Sequence, residues 1–365
     1  MKIDTVSIQN FKSLKDVTLE LGDITLLTGV NSCGKSSFIQ TLLLLKQNED
    51  RINMVKNPIV NIKGDYLDLG NKRDILFQEA FDENISIKVS SKKRTGSFSF
   101  NNQDLKMMAD FPLLGLEESF NLFNDDFQYI TTDRIAPSIT YGLSDENIEQ
   151  NIIGIQGEYT AHYLAKNKHK QIQIEALKHP NSKTKQLLEN VSLWLGDISD
   201  GIEVKAKVYE ELQNVNLTYS YTYGETTTND FTPLNIGFGI TYSLPIIVAI
   251  IKSKPGDLLI IENPESHLHP AGQAKIAELC AIAAANNVQI LIETHSDHFL
   301  NGLRVSTKKK AIKPEQSQIY YFRKEKNALE TIVENLRIDE NGRINQEWPK
   351  GFFDEWDNRL DELLW

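Results

Sequence analysis

Eight consecutive residues, Gly29-Val30-Asn31-Ser32-Cys33-Gly34-Lys35-Ser36, follow the pattern GxxxxGK[ST]. Glycines at these positions let backbone N–H groups turn towards phosphates, and a following helix offers the positive end of its dipole. Lys35 is placed to neutralise the terminal phosphates of ATP, and the Ser36 hydroxyl to reach Mg2+. A second constellation begins at Leu258-Leu259-Ile260-Ile261-Glu262, an apolar strand ending in an acid, followed by Asn263-Pro264-Glu265. In phosphate-loop enzymes such a strand delivers an acid to the magnesium shell, here Glu262, and a neighbouring carboxylate orients the attacking water. The next apolar strand ends at Glu293-Thr294-His295-Ser296. A histidine at the carboxyl edge of a doubly wound sheet sits where ligands bind, so His295 is expected to sense or stabilise a terminal phosphate. Gly237-Phe238-Gly239 precedes an apolar helix and makes a second anion site, which is useful if it addresses the phosphate held by another copy of the chain.

The elements that must position these groups are legible in the hydrophobic pattern. Residues 3–8 and 17–21 alternate apolar with polar around a turn at 10–14, and 24–27 is a short buried strand running into the glycine loop. Residues 37–46 then read as an apolar helix, so the loop has the strand–loop–helix setting that it requires. Alternation at 85–89 and 97–100 predicts an antiparallel flank. Helical periodicity at 158–164 and 185–195 and strand alternation at 215–223 mark an inserted segment. Beyond it come a helix at 240–251, a strand at 258–261, a helix at 271–285 and a strand at 288–292, the signature of a parallel sheet with crossover helices.

Composition narrows the class. With 40% apolar and 24% charged residues the 365-residue chain is ordinary for an α/β protein, and no run approaches the length of a membrane helix. The start lacks a signal-peptide run, so a cytoplasmic location is expected. A net charge of −11 argues against a protein that coats nucleic acid, because neutralising phosphates takes clustered Lys and Arg.

Taken in order, these motifs resemble the ABC-type ATPase heads of the Rad50, RecF, SMC and overcoming-lysogenization-defect (OLD) group. Residues 8–14, Ile-Gln-Asn-Phe-Lys-Ser-Leu, and the loop with Asn31, Gly34, Lys35, Ser36 and Ser37 look like its opening motifs. Residues 262–270, Glu-Asn-Pro-Glu-Ser-His-Leu-His-Pro, resemble its DEPExxLHP segment, Thr294-His295-Ser296 its switch histidine, and residues 237–241 its signature. A closer likeness is to compact bacterial AAA-type ATPases with Tyr129-Ile130-x-x-Asp133-Arg134-Ile135-x-Pro137 and a tail Trp348-Pro349-x-Gly351-Phe352-Phe353-Asp354, relatives of the Septu-type defence ATPases. The resemblance implies an α/β fold, a P-loop ABC-type ATPase head with a mixed parallel sheet, an antiparallel β flank and an α-rich inserted lobe. It divides the chain into 1–103, the inserted lobe 104–230, 231–340 and an aromatic tail 341–365. It further implies ATP and Mg2+ as cofactors, with Ser36 and Glu262 on the metal, Gly237 and Gly239 on the nucleotide, and Glu262, Asn263, Glu265 and His295 in catalysis; Arg134 is suited either to a phosphate of the nucleotide or to bracing the inserted segment. A head-to-head homodimer around ATP, or a higher oligomer, is expected. So is a protein effector such as a nuclease encoded nearby, in antiphage defence or a DNA-related process.

Two departures colour the reading. The metal-side aspartate of the group is Glu262 here, and its catalytic glutamate aligns with Asn263, whose amide cannot take a proton as a carboxylate does. Hydrolysis is then slow or relies on Glu265, and a nucleotide-gated scaffold restraining a nuclease or toxin is the competing expectation. Direct DNA binding in the manner of the Rad50-like repair ATPases is a third. About seventy residues follow His295, too few for the nuclease domain that OLD proteins carry, so any DNA cutting is expected from a partner. The apolar residues of the tail, from Trp348 to Trp365, recur at helical intervals and suit packing on the chain's own sheet or docking of a partner.

Overall fold

Strand alternation builds one part of the chain and continuous apolar runs the other. The computed structural model describes residues 1–54, 58–110, 119–125, 127–344, 346, 348–349 and 351–364. Residues 1–124, 318–337 and 346–365 form one compact unit, and residues 125–317 and 338–345 a second.

In the first unit β1 (Thr5–Phe11) and β2 (Leu14–Glu20) form a hairpin that sets Thr5 opposite Glu20. β3 (Ile24–Gly29), buried along all but its last residue, delivers the chain to the glycine loop and α1 (Lys35–Gln47), after which α2 (Glu49–Met54) follows. β4 (Asn84–Ser90), β5 (Thr95–Asn101) and β6 (Met107–Asp110) complete an antiparallel sheet in the order β2-β1-β4-β5-β6. Ile85, Ile87 and Val89 are buried, and so are Phe98 and Phe100 on the neighbouring strand. This period-two pattern makes the antiparallel flank that the alternation predicts.

The second unit opens with β7 (Gln128–Ile130), β8 (Thr140–Tyr141), α3 (Asp145–Glu149), α4 (Thr160–Asn167) and α5 (Leu187–Gly196). β9 (Ile202–Tyr209) and β10 (Asn214–Tyr223) pair over eight positions, with β8 and the short β11 (Thr226–Thr227) also on β10. The segment 104–230 therefore holds long antiparallel strands as well as helices. The division of the chain falls inside it, at residue 125, because β7 is the parallel neighbour of β12 (Leu258–Glu262). Before β12 comes α6 (Phe238–Ile251), apolar on every side and buried apart from Phe238 and Tyr242, as a core helix must be. α7 (Pro270–Ala285) crosses over to β13 (Gln289–Glu293), parallel to β12, and α8 (Asp297–Lys308) packs back on α7. The parallel core expected from residues 240–292 is the one found.

The chain returns to the first unit with β14 (Ser317–Arg323), which neighbours β3 and pairs antiparallel with β15 (Ile332–Leu336). It ends in α9 (Glu355–Leu364). In the tail, Phe352 is 1% exposed and its ring meets Tyr321 of β14 edge-on at 5.4 Å, whereas Leu363 is 81% exposed. The side chains of Trp356 and Leu364, and all of Trp365, lie outside the described residues. No helix among the described residues is long and apolar enough to cross a membrane.

The α7–α8 contact carries a sharp steric demand. A Cβ on Gly302 of α8 would stand 2.7 Å from the Ala274 carbonyl oxygen and 2.8 Å from Ala277 Cβ. Alanine in a helix interior gains up to about 1 kcal/mol over glycine, but backbone cannot yield cheaply, and overpacking of this kind costs about 1–3 kcal/mol. Gly302→Ala is therefore expected to lower the urea midpoint of unfolding, and a raised midpoint would show that the helices separate freely.

Candidate functional site

The phosphate-binding loop belongs to the first unit. Gly29 has φ 132°, and a Cβ on it would fall 2.1 Å from the carbonyl oxygen of Phe322, so only glycine fits between β3 and β14. Gly34 has φ 98°, and a Cβ there would lie 2.6 Å from the Thr331 hydroxyl. α1 starts at the next residue with no side-chain cap and no acidic residue in its first turn, so no carboxylate of that turn offsets its positive end. Lys35 is 3% exposed, and its Nζ donates to the carbonyls of Gly29 at 3.1 Å and Val30 at 3.0 Å, folding the charge over the loop. Asn31 and Ser36 are exposed and Ser37 is half-buried. The chemistry of this set fits a polyphosphate: a glycine cradle that a side chain would fill, an ammonium group and an adjacent hydroxyl.

The remaining residues singled out in the sequence lie together in the second unit. Glu262 ends β12 level with Glu293 at the end of β13. Its carboxylate accepts from Tyr129 Oη at 3.1 Å and lies 3.1 Å from Thr132 Oγ1. Burial pushes its pKa up, against the pull of those hydroxyls and of Arg134. Asn263 adopts φ 45°, gives its N–H to the Glu293 carbonyl at 2.8 Å, and has its side-chain oxygen 2.7 Å from the same Thr132 hydroxyl. Arg134, 3% exposed, reaches the turn from below, where Nη2 donates to the carbonyl of Glu262 and, at 3.1 Å, to that of Asn263. Burial lowers its pKa to about 10, opposed by Glu265, Tyr242 and Glu262, so the guanidinium stays charged at neutral pH.

Glu265 joins two strand ends. Its carboxylate accepts from the Thr294 hydroxyl at 2.8 Å and from the backbone N–H of His295 at 2.7 Å, while the His295 side chain is exposed. Both carboxylate oxygens of Glu265 are thus engaged, one by the Thr294 hydroxyl and the other by the His295 main chain.

At the start of α6 the two glycines do different things. A Cβ on Gly239 would stand 2.3 Å from the carbonyl oxygen of His267, so this glycine lets the helix press against the turn that follows Glu262. A Cβ on Gly237 would meet nothing within 4 Å. Between them Phe238 is 46% exposed, and its ring forms a cluster with Tyr242 at 4.7 Å and His267 at 5.0 Å. The structure so brings Arg134, Glu262 and Asn263 into one hydrogen-bonded group and Glu265 and the His295 main chain into another, with Gly239 packed on the turn that follows Glu262. Sequence reasoning passed over Tyr129 and Thr132 as partners of Glu262, although the Tyr129-to-Pro137 motif begins at the one and leaves the other as an unspecified position.

The two glycines predict different tolerances. Gly239→Ala drives a Cβ into main-chain carbonyl and is expected to cost about 1–3 kcal/mol. Gly237→Ala, in open space at φ −54°, is expected to stay within about 0.5 kcal/mol. Denaturant unfolding of both variants checks this, and equal losses would contradict the packing role of Gly239.

Comparison with known proteins bears on the family and the fold. A family described as "AAA domain, putative AbiEii toxin, Type IV TA system" matches residues 24–301, and a protein family of unknown function, DUF3696, matches residues 312–363. No curated protein matches the chain. An SMC head bound to the C-winged helix domain of ScpA superposes with a TM-score of 0.60 at 12% identity, over 93% of this chain and 99% of that one. An SMC head domain with an extended coiled coil, bound to the C-terminal domain of ScpA and derived from Pyrococcus furiosus, gives 0.55 at 11% identity, over 100% of both chains. At such identities the likeness establishes the fold, which is the ABC-type ATPase head expected from the motifs. Spanning most of the chain, the match at residues 24–301 identifies this protein as a member of the AAA-domain family that carries the AbiEii description.

Proposed function

We propose that this protein binds ATP with Mg2+, closes head to head with a second copy around the nucleotide, and controls a protein effector while hydrolysing ATP slowly. The observation that carries this reading is the conformation of residues 29–35, two glycines at positive φ framing a loop over which Lys35 is folded. On nucleotide binding Lys35 exchanges its two carbonyl partners for phosphate oxygens, a stronger charge-assisted contact. Mg2+, held with help from Ser36 and Glu262, would neutralise charge on the transferred phosphoryl group.

Slow turnover follows from the second unit's chemistry. Asn263 occupies the position of the usual general base, and Glu265 is committed to Thr294 and His295. A positioned base contributes about 10²–10⁴ in rate, so its absence favours a long-lived closed state. Gly237 and Gly239 are assigned to the nucleotide held by the second copy. The exposed Phe238 ring beside them is suited to an interface. SMC heads have been captured with ScpA bound and the family description names a toxin–antitoxin system, both of which support a protein effector here. The scaffold reading, with almost no hydrolysis, rests on Asn263 alone.

Lys35→Ala is expected to abolish ATP binding in equilibrium titration, and addition of ATP and Mg2+ to the wild type to raise its mass in light scattering. Asn263→Glu is expected to speed turnover by at least about tenfold. Wild-type turnover that Asn263→Glu leaves unchanged would sink the slow-hydrolysis reading, and an unaltered mass would sink ATP-driven closure.

A further inference from the structure

Both glycine ends of the phosphate-binding loop rest on one hairpin from the far end of the chain. Gly29 lies against the backbone of Phe322 in β14, and Gly34 against the side chain of Thr331, the residue before β15. Thr331 is 8% exposed. Its hydroxyl oxygen is 2.9 Å from the carbonyl oxygen of Cys33 and 2.8 Å from Ser13 Oγ, and its backbone N–H donates to the Ser13 carbonyl at 2.9 Å. The Cys33 carbonyl can only accept, so Thr331 donates to it, with the Ser13 hydroxyl packed against the same oxygen.

This contact sets a peptide plane. The Cys33–Gly34 bond is trans, so its carbonyl and N–H point in opposite directions. With the Cys33 oxygen held towards Thr331, the Gly34 N–H faces the other way, as an amide that meets phosphate must. Gly34, at positive φ, brings no side chain that could fix the plane from its own side. Ser13 lies in the tight β1–β2 turn and Thr331 in the segment of the second family match, some three hundred residues apart.

We propose that Thr331 is a positioning residue of the phosphate-binding loop, holding the Cys33 carbonyl so that the Gly34 amide is presented to the nucleotide. The C-terminal hairpin thereby sets nucleotide affinity without touching the nucleotide. The inference rests on the reading of residues 29–36 as an ATP site.

The test is equilibrium titration of the full chain with the fluorescent analogue mant-ATP and Mg2+, beside thermal unfolding without nucleotide. Thr331→Val keeps the shape and deletes the hydroxyl, leaving the Cys33 carbonyl without its donor, and is expected to weaken binding about tenfold. Thr331→Ser restores the hydroxyl and is expected to bind like the wild type. A Thr331→Val protein that unfolds at a lower temperature yet binds with unchanged affinity overturns the proposal, because the residue is then only structural. If Thr331→Val does not fold, Ser13→Ala decides: weaker binding supports the clamp and unchanged affinity overturns it. Wild type that fails to bind, or Lys35→Ala that binds equally well, instead removes the ATP reading beneath it.

Discussion

A buried guanidinium gripping two successive carbonyls is the contact on which the geometry at the parallel strand ends depends. Arg134 takes the main-chain oxygens of Glu262 and Asn263. These bracket a residue at φ 45°, a conformation that costs a non-glycine residue of order 1 kcal/mol and persists only where its surroundings enforce it. A charge buried to this depth must in turn be answered by opposite charge. The carboxylates of Glu265 and Glu262 supply it, so the acids proposed for the chemistry also make the brace affordable. Thr132 and Tyr129, from the strand and loop that lead to Arg134, then hold the Glu262 carboxylate by their hydroxyls. Acid and amide are consequently braced from the same segment, residues 129–134.

Glycine governs the other half of the chemistry, for reasons that differ from place to place. At Gly29 the constraint is the backbone of the adjacent strand, at Gly34 the Thr331 hydroxyl together with a left-handed conformation, and at Gly239 the carbonyl of His267. Each admits a close approach that any side chain would block. The glycine loop and the start of α6 are both shaped by packing behind them.

The strands and helices of the core were readable from the chain alone because their patterns are local. Residues 258–262 are apolar until the final acid, and a run of that kind between turn residues is a buried parallel strand whose end must be polar. The alternation of β4 and β5 likewise demands a sheet with one covered face. Less was readable at 104–230, where β7 is only three residues long and owes its place to pairing with β12 rather than to its own composition. The Tyr129-to-Pro137 motif announced that Arg134 matters, but its atoms turned out to serve main-chain carbonyls, a role that leaves no mark in spacing.

The sequence by itself determined which chemical groups this protein owns: a glycine loop with Lys35 and Ser36, an acid at the end of an apolar strand, an amide where a base is usual, and a histidine one strand further on. Residue type and short-range periodicity suffice for that, since each motif is continuous and sits on an element with its own hydrophobic signature. Only the tertiary structure decided how those groups are employed. It committed Glu265 to His295, aimed Arg134 at a turn, and set Thr331 against Cys33 across most of the chain's length. Such pairings follow from which surfaces the folded core brings within 3 Å, and hydrogen bonds of that range carry no sequence period from which they could be foreseen.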